Sequence, residues 1–268
     1  MSDYHLGCLE GTDIEAVAVD SVCVSAPLVS ERIPDEVNLR HLLPVNDQGP
    51  WQSCCGNAAD MLLQWYLALE HGAAPPNLSA RFSYIAALEW AGNLRHGDNG
   101  VSIEAGIMAA HEIGTVLEEA CPYWQPGDRF DSILPPDLRV LAAQHRLQSV
   151  ARVFSTEEVI QSLAQRRGAT MFGMNWKTGH ANYRGGVLTG DPGGQSMGGH
   201  AVCFVGYRRG GEILEFQNSH GRRWGDDGRM LVDYKYAQRL LNEPYGAFRG
   251  SGVPGFRKAA YDFRGLMV

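Results

Sequence analysis

Midway along the chain the hydrophobic period changes from that of helices to that of strands, which excludes a fold made wholly of either. From Cys54 to about His71, the stretch CCGNAADMLLQWYLALEH sets Ala58, Met61, Leu62, Trp65 and Leu69 at helical spacing, and Gly72 with Pro75 and Pro76 ends it. Two further helices are expected over about 79–90 and 102–113, the second stopped by Gly114. Ser155 and Glu158 fit a capping box, with Gly168 closing the helix that follows. Beyond it, 169–175, 200–207, 213–218 and 229–234 are short apolar or alternating runs between glycine-rich turns, the pattern of an antiparallel sheet. The expected fold class is α+β. Residues 33–150 would form a helical lobe, 151–268 a β-rich lobe and 1–32 an extension laid over the body as a tail or strap. The cleft between the lobes is where a ligand site is expected.

Composition narrows the functional classes. At 268 residues with 44% hydrophobic and 20% charged side chains, the chain can build a packed core. Its formal charge of −7 gives no positive field for nucleic acid or anionic lipid. No apolar run is long enough to span a bilayer, and the first residues lack the basic-then-apolar pattern of a secretory signal, so neither membrane nor export is expected. The six cysteines are scattered and form no C-x-x-C pair; they read as thiols of a reducing, cytoplasmic compartment, with delivery to a virion or host cell left open. Cys54 and Cys55 are adjacent, which splays their sulfurs, and the histidines show no ligand spacing, so neither a metal nor another cofactor is expected.

Three stretches carry chemistry: 48–56 (QGPWQSCCG) before the long helix, Gly199-His200-Ala201-Val202, and Gln217-Asn218-Ser219-His220-Gly221. Cys54 opens a helix, where free N–H groups and the macrodipole favour thiolate. His200 can pair with that thiolate and protonate a leaving amine. The Asn218 amide can hold the imidazole without adding charge, and Gln48 with the Cys54 N–H can donate to an oxyanion. Any one of these residues alone would be bland: a core thiol, a strand histidine, a turn asparagine. Their joint order supplies a thiol acyl-transfer machine.

On those motifs the chain resembles the papain-like cysteine protease family, of peptidase C1 type. The family's Gln-Gly followed by Cys at the start of the central helix stands here as Gln48-Gly49 and Cys54. Its His-Ala-Val is 200–202, and its Asn-Ser-x-Gly-x-x-Trp-Gly is 218–225. The separation of Cys and His along the chain is close to the roughly 130–150 residues such enzymes use. The resemblance covers about 33–235 and implies two lobes, a groove for an extended peptide, and catalytic Cys54, His200, Asn218 and Gln48. Gly199, Ala201 and His220 would meet the substrate. It also implies a divergent microbial or viral member in which a short extension replaces the long inhibitory prosegment. The chain departs from the family at Trp51, where a disulfide cysteine is usual, at Cys55, where an aromatic follows the nucleophile, and at His220, where a Trp shields the His–Asn bond. Asp98-Asn99-Gly100 is the nearest equivalent of the family's groove-wall glycines. The expected activity is endopeptidase cleavage through an acyl-enzyme. The alternatives are an acyltransferase or deamidase of transglutaminase type, against which Asn218 argues, and an inactive papain-fold binding module.

Overall fold

Cys54–His71 folds as an 18-residue helix, α1, because nearly every face of it finds an apolar neighbour; only Tyr66 and the last turn reach solvent. Gly72, with φ of 62°, ends it in the left-handed region and its N–H caps the Ala68 carbonyl. In this computed structural model residues 4–10, 33–125 and 127–252 are described. Helices α2 (Ala80–Trp90) and α3 (Ile103–Glu112) pack with α1, and each begins at a serine whose side chain accepts an N–H three residues on, Ser79 from Phe82 and Ser102 from Ala105. The short helix α4, Pro136–Ala142, follows. The structure is α+β.

The sheet contains β3 (Ser149–Arg152), β4 (Thr170–Lys177), β5 (Val187–Leu188), β6 (Ser196–Arg208), β7 (Ile213–Gln217), β8 (Arg229–Asp233) and β9 (Ala247–Ser251). Their order is β3-β9-β4-β6-β7-β8-β5. All pairs are antiparallel except β5 with β8, so the sheet is mixed rather than purely antiparallel as expected. Helix α1 lies against β6, and the Trp65 indole N–H donates to the Val205 carbonyl at 2.8 Å. Burying a side chain as large as Trp65 or Phe172 stabilises this seam by roughly 2–3 kcal/mol each. Helices α5 (Thr156–Ala164), α6 (Thr178–Ala181) and α7 (Tyr234–Leu241) flank the sheet.

Two local expectations need correction. Ser155 accepts the Glu158 N–H, but the Glu158 carboxylate reaches past it to the Phe154 N–H, so the capping box closes one residue early. Helix α5 stops at Ala164, and Arg166, at φ of 57°, makes the left-handed turn assigned to Gly168. The Arg167 N–H then caps the Ser162 carbonyl, a 6→1 closure made here without a glycine.

Residues 40–48 are fastened along β7 and β8. Arg229, fully buried, donates to the carbonyls of Arg40, Leu43 and Asp227, and Gln217 donates to the Pro44 carbonyl. Arg40 in turn pairs with Glu215 and Asp226, both at 2.9 Å. This clamp delivers Gln48 to the end of β7, where its N–H donates to the Ser219 carbonyl. At the other end of the chain, strand β1 (Cys8–Leu9) pairs in parallel with β2 (Val101–Ser102) just ahead of α3. The rest of the expected extension, 1–3 and 11–32, lies outside the described residues, as do 253–268 of the expected β-rich lobe.

Candidate active site

Cys54 sits at the first position of α1 and is fully buried. Burial alone pushes its thiol up. Hydrogen bonds from Cys55 and His200, the charge of His200 and a bond from the Ala201 backbone together outweigh burial and hold it well below its ordinary value. Ser53, which precedes the helix, uses its hydroxyl on Tyr123 rather than as a cap. The carbonyl of Gln48 accepts from that same Tyr123 hydroxyl at 3.0 Å, so the approach to Cys54 is braced from the helical side.

His200 lies in β6, opposite Met174 of β4, and is also fully buried. Its Nε2 is 2.7 Å from Asn218 Oδ1. That Oδ1 also accepts the Ser219 N–H at 2.7 Å, which identifies it as the oxygen and places the His200 proton on Nε2. The other ring nitrogen, Nδ1, has no nitrogen or oxygen partner and is left for the Cys54 sulfur. Gln48, buried as well, accepts from the Ser219 hydroxyl at 2.6 Å. It donates through Nε2 to the Trp51 carbonyl at 2.8 Å and to the His5 carbonyl at 3.0 Å. Cys54, His200, Asn218 and Gln48 are thus brought together, although Cys54 and Gln48 lie in the first half of the chain and His200 and Asn218 in the second.

The cleft is filled by the chain's own residues 4–10. The Gly7 carbonyl accepts the Val101 N–H at 2.8 Å. A side chain at Gly100 would strike the Gly7 carbonyl, one at Gly199 the Cys8 carbonyl, and one at Gly7 the Gln52 carbonyl. The absence of Cβ atoms at these positions therefore lets one strand of backbone lie between two walls. At its outer end Tyr4 stacks on His220, with ring centroids 4.0 Å apart, and donates to the His220 carbonyl at 2.9 Å. Of the residues expected to meet a substrate, Gly199 is covered by this segment, Ala201 is buried behind it, and His220 touches it directly.

His220 also lies 4.7 Å from the His200 ring. Burial, reinforced by the nearby His200 charge, pushes it down to about 2, so it is a neutral ring. Sequence reasoning missed its neighbour Trp176. This buried indole meets His200 edge-on at 4.6 Å and His220 at 5.4 Å, and stacks on His180 at 5.2 Å. His180 accepts the Lys177 N–H and pairs with the Tyr236 hydroxyl at 2.7 Å; burial pushes it down to about 4. The pairing of β4 with β6 supplies the missing signal: Met174 faces His200, so Trp176, two residues on, reaches it diagonally. Among the described residues no group of three His, Cys, Asp or Glu is placed to hold a metal ion.

Residues 33–243 match the family model described as papain family cysteine protease. The chain belongs to that family, and is a cysteine peptidase, a hydrolase. The fold is that of xylellain, a cysteine protease from Xylella fastidiosa, with a TM-score of 0.74 and 21% identity over 94% of this chain and 97% of that one. It is likewise similar to procathepsin L 3 of the Tenebrio molitor larval midgut (TM-score 0.66, 23% identity, 85% and 73% of the two chains). A Carica candamarcensis cysteine protease in complex with E-64 gives 0.58 and 22% over 82% and 99%. An uncharacterized peptidase C1-like protein of Acanthamoeba polyphaga mimivirus is 43% identical over 42 residues, 16% of this chain and 14% of its own length. Among the described residues no helix is long and apolar enough to cross a membrane.

Proposed function

We propose that the protein is an endopeptidase that cleaves extended peptides through a Cys54 thiolate and a His200 imidazolium. The contact of Cys54 with His200 across the cleft carries this reading. Cys54 attacks the scissile carbonyl, and Gln48 Nε2 with the Cys54 N–H stabilises the oxyanion. His200, held by Asn218, gives its Nδ1 proton to the leaving amine, and a water activated by the same imidazole releases the acyl group. The groove lies between a helical lobe, 33–150, and a β-rich lobe, 151–268, and Gly199, Ala201 and His220 border the bound peptide. The five described cysteines stand as free thiols, which supports work in a reducing compartment such as the cytoplasm.

Residues 4–10 restrain this activity. The His5 carbonyl occupies the amide of Gln48 that an oxyanion would need, and Gly7 and Cys8 fill the backbone track. Two measurements test the proposal. An epoxide thiol probe labels Cys54 rapidly in a chain lacking residues 1–10, and labelling falls to the rate of Cys203 in His200→Ala; equal rates at both cysteines remove the enzyme mechanism. Turnover of a fluorogenic peptide rises at least about tenfold on the same truncation, by the inverse of the open fraction; an unchanged rate removes the restraint.

A further inference from the structure

Three thiols meet at the cleft, and the mechanism uses one of them. Cys8, on the strap, pairs in register with Val101, and Cys55, the second residue of α1, donates its S–H to the carbonyl of that same Val101 at 3.1 Å. The two side chains therefore meet at one residue, and their thiols are in contact with each other. Both are buried: Cys8 lies against Gly173, where a Cβ would meet its sulfur, and Cys55 lies against Gly106.

We propose that Cys8 and Cys55 form a disulfide under peroxide, locking residues 4–10 in the cleft. The inference rests on the occlusion proposed above and extends it from a reversible contact to a covalent one. Cys54 is not the partner: Cys8 is hydrogen-bonded to Cys55 and feels Cys54 only through its charge, so Cys55 is the thiol in contact with it. Burial pushes both thiols up, while the hydrogen bond between them lowers Cys8 and raises Cys55, which favours Cys8 as the one that gives up its proton. The Cys8 thiolate attacks hydrogen peroxide, breaking the O–O bond to give a sulfenic acid and hydroxide. The Cys55 sulfur then displaces the sulfenic oxygen as water while the hydroxide takes up the proton that Cys8 lost. Two thiols are oxidised, one peroxide is reduced, and two waters leave. Closure also ends the thiol contact through which Cys55 favours the Cys54 thiolate. The nucleophile is then both covered and less readily ionised, which spares it from irreversible oxidation.

The linkage can be read without any turnover. In the full chain carrying Cys23→Ser and Cys54→Ser, cleavage after Arg32, Arg40 and Arg81 leaves one cysteine in each of the two peptides concerned. After one equivalent of hydrogen peroxide on the native protein and alkylation in denaturant, a cross-linked species of those two peptides is expected, and dithiothreitol separates it. It is absent when Cys55→Ser or Cys8→Ser is added. Full alkylation of Cys8 and Cys55 after oxidation overturns the proposal, as does a Cys8–Cys54 link in the Cys23→Ser chain. In the active chain, peroxide followed by dithiothreitol restores most of the peptide turnover, whereas Cys8→Ser, measured against its own untreated rate, recovers at least about fivefold less. Absence of turnover in every chain would fail the endopeptidase proposal and leave the linkage result standing.

Discussion

The two walls of the cleft achieve their chemistry by opposite means. On the thiol wall, Cys54 draws on neighbours in sequence, the helix it opens and Cys55 beside it, and beyond them only on the His200 and Ala201 contacts from across the cleft. On the imidazole wall, His200 is governed by residues from other strands and turns, Asn218, Trp176 and His220, in a closed nest of rings. The first wall is polar and can be adjusted by a single substitution. The second is a packed unit whose members hold one another.

The comparison is sharpest at its two reacting atoms. Cys54→Ala and His200→Ala should each lower peptide turnover by about 10⁴-fold or more, and Asn218→Ala by about 10²-fold, since it orients rather than reacts. Equal losses for all three would mean that the imidazole wall collapses as one piece. Next in size is a stability effect on the helical side. Asp60, buried in α1, accepts from the Ser83 hydroxyl at 2.6 Å while its second oxygen has no partner, and burial raises it to about 8. The fold therefore keeps a proton that the unfolded chain releases near its ordinary value. Stability is greatest below about pH 4 on this account and is lost as pH rises towards 8, on the order of 5 kcal/mol at most. Asp60→Asn should flatten that fall in urea unfolding curves taken between pH 5 and 8; an unchanged slope would show that Asp60 is solvated.

On the sheet side, Trp176→Phe should keep kcat/KM within about threefold and Trp176→Ala should lower it by about tenfold, with the acid limb of its pH profile displaced. A loss confined to melting temperature would make the indole ordinary packing. The smallest effect belongs to His220. His220→Phe should change kcat/KM by less than about threefold, and the His220 ring proton shifts should stay flat from pH 4 to 8. As pH falls below about 6.5 the unfolded chain binds protons that His220 refuses, so this residue contributes a stability loss of about 1.4 kcal/mol per pH unit at most. An inflection near 6.5 in those shifts would place the ring in water.

The same contrast explains what could be read from the sequence. Helix α1, its cap and the order Gln48, Cys54, His200, Asn218 are legible because short-range periodicity and motif spacing encode them. Trp176 was not legible, because its importance depends on the register of β4 against β6. Strands β3 and β9 escaped for a related reason: each is short, and they pair with one another across about a hundred residues. Helix α7 was missed because the run from Arg229 continues into it without a break, the change of structure being made by Asp233, whose carboxylate caps the Tyr236 N–H. The parallel pair β1–β2 has only two residues on each side and no pattern to betray it.

The contact of Tyr4 with His220 joins the two walls in a way that neither shows alone. Because His220 also packs against the His200 ring, peeling back the amino terminus would bare it to solvent as the groove empties. Admission of a peptide and hydration of the proton relay are thus mechanically geared, and a bound ligand that replaces the tyrosine ring would re-dry the relay as it docks.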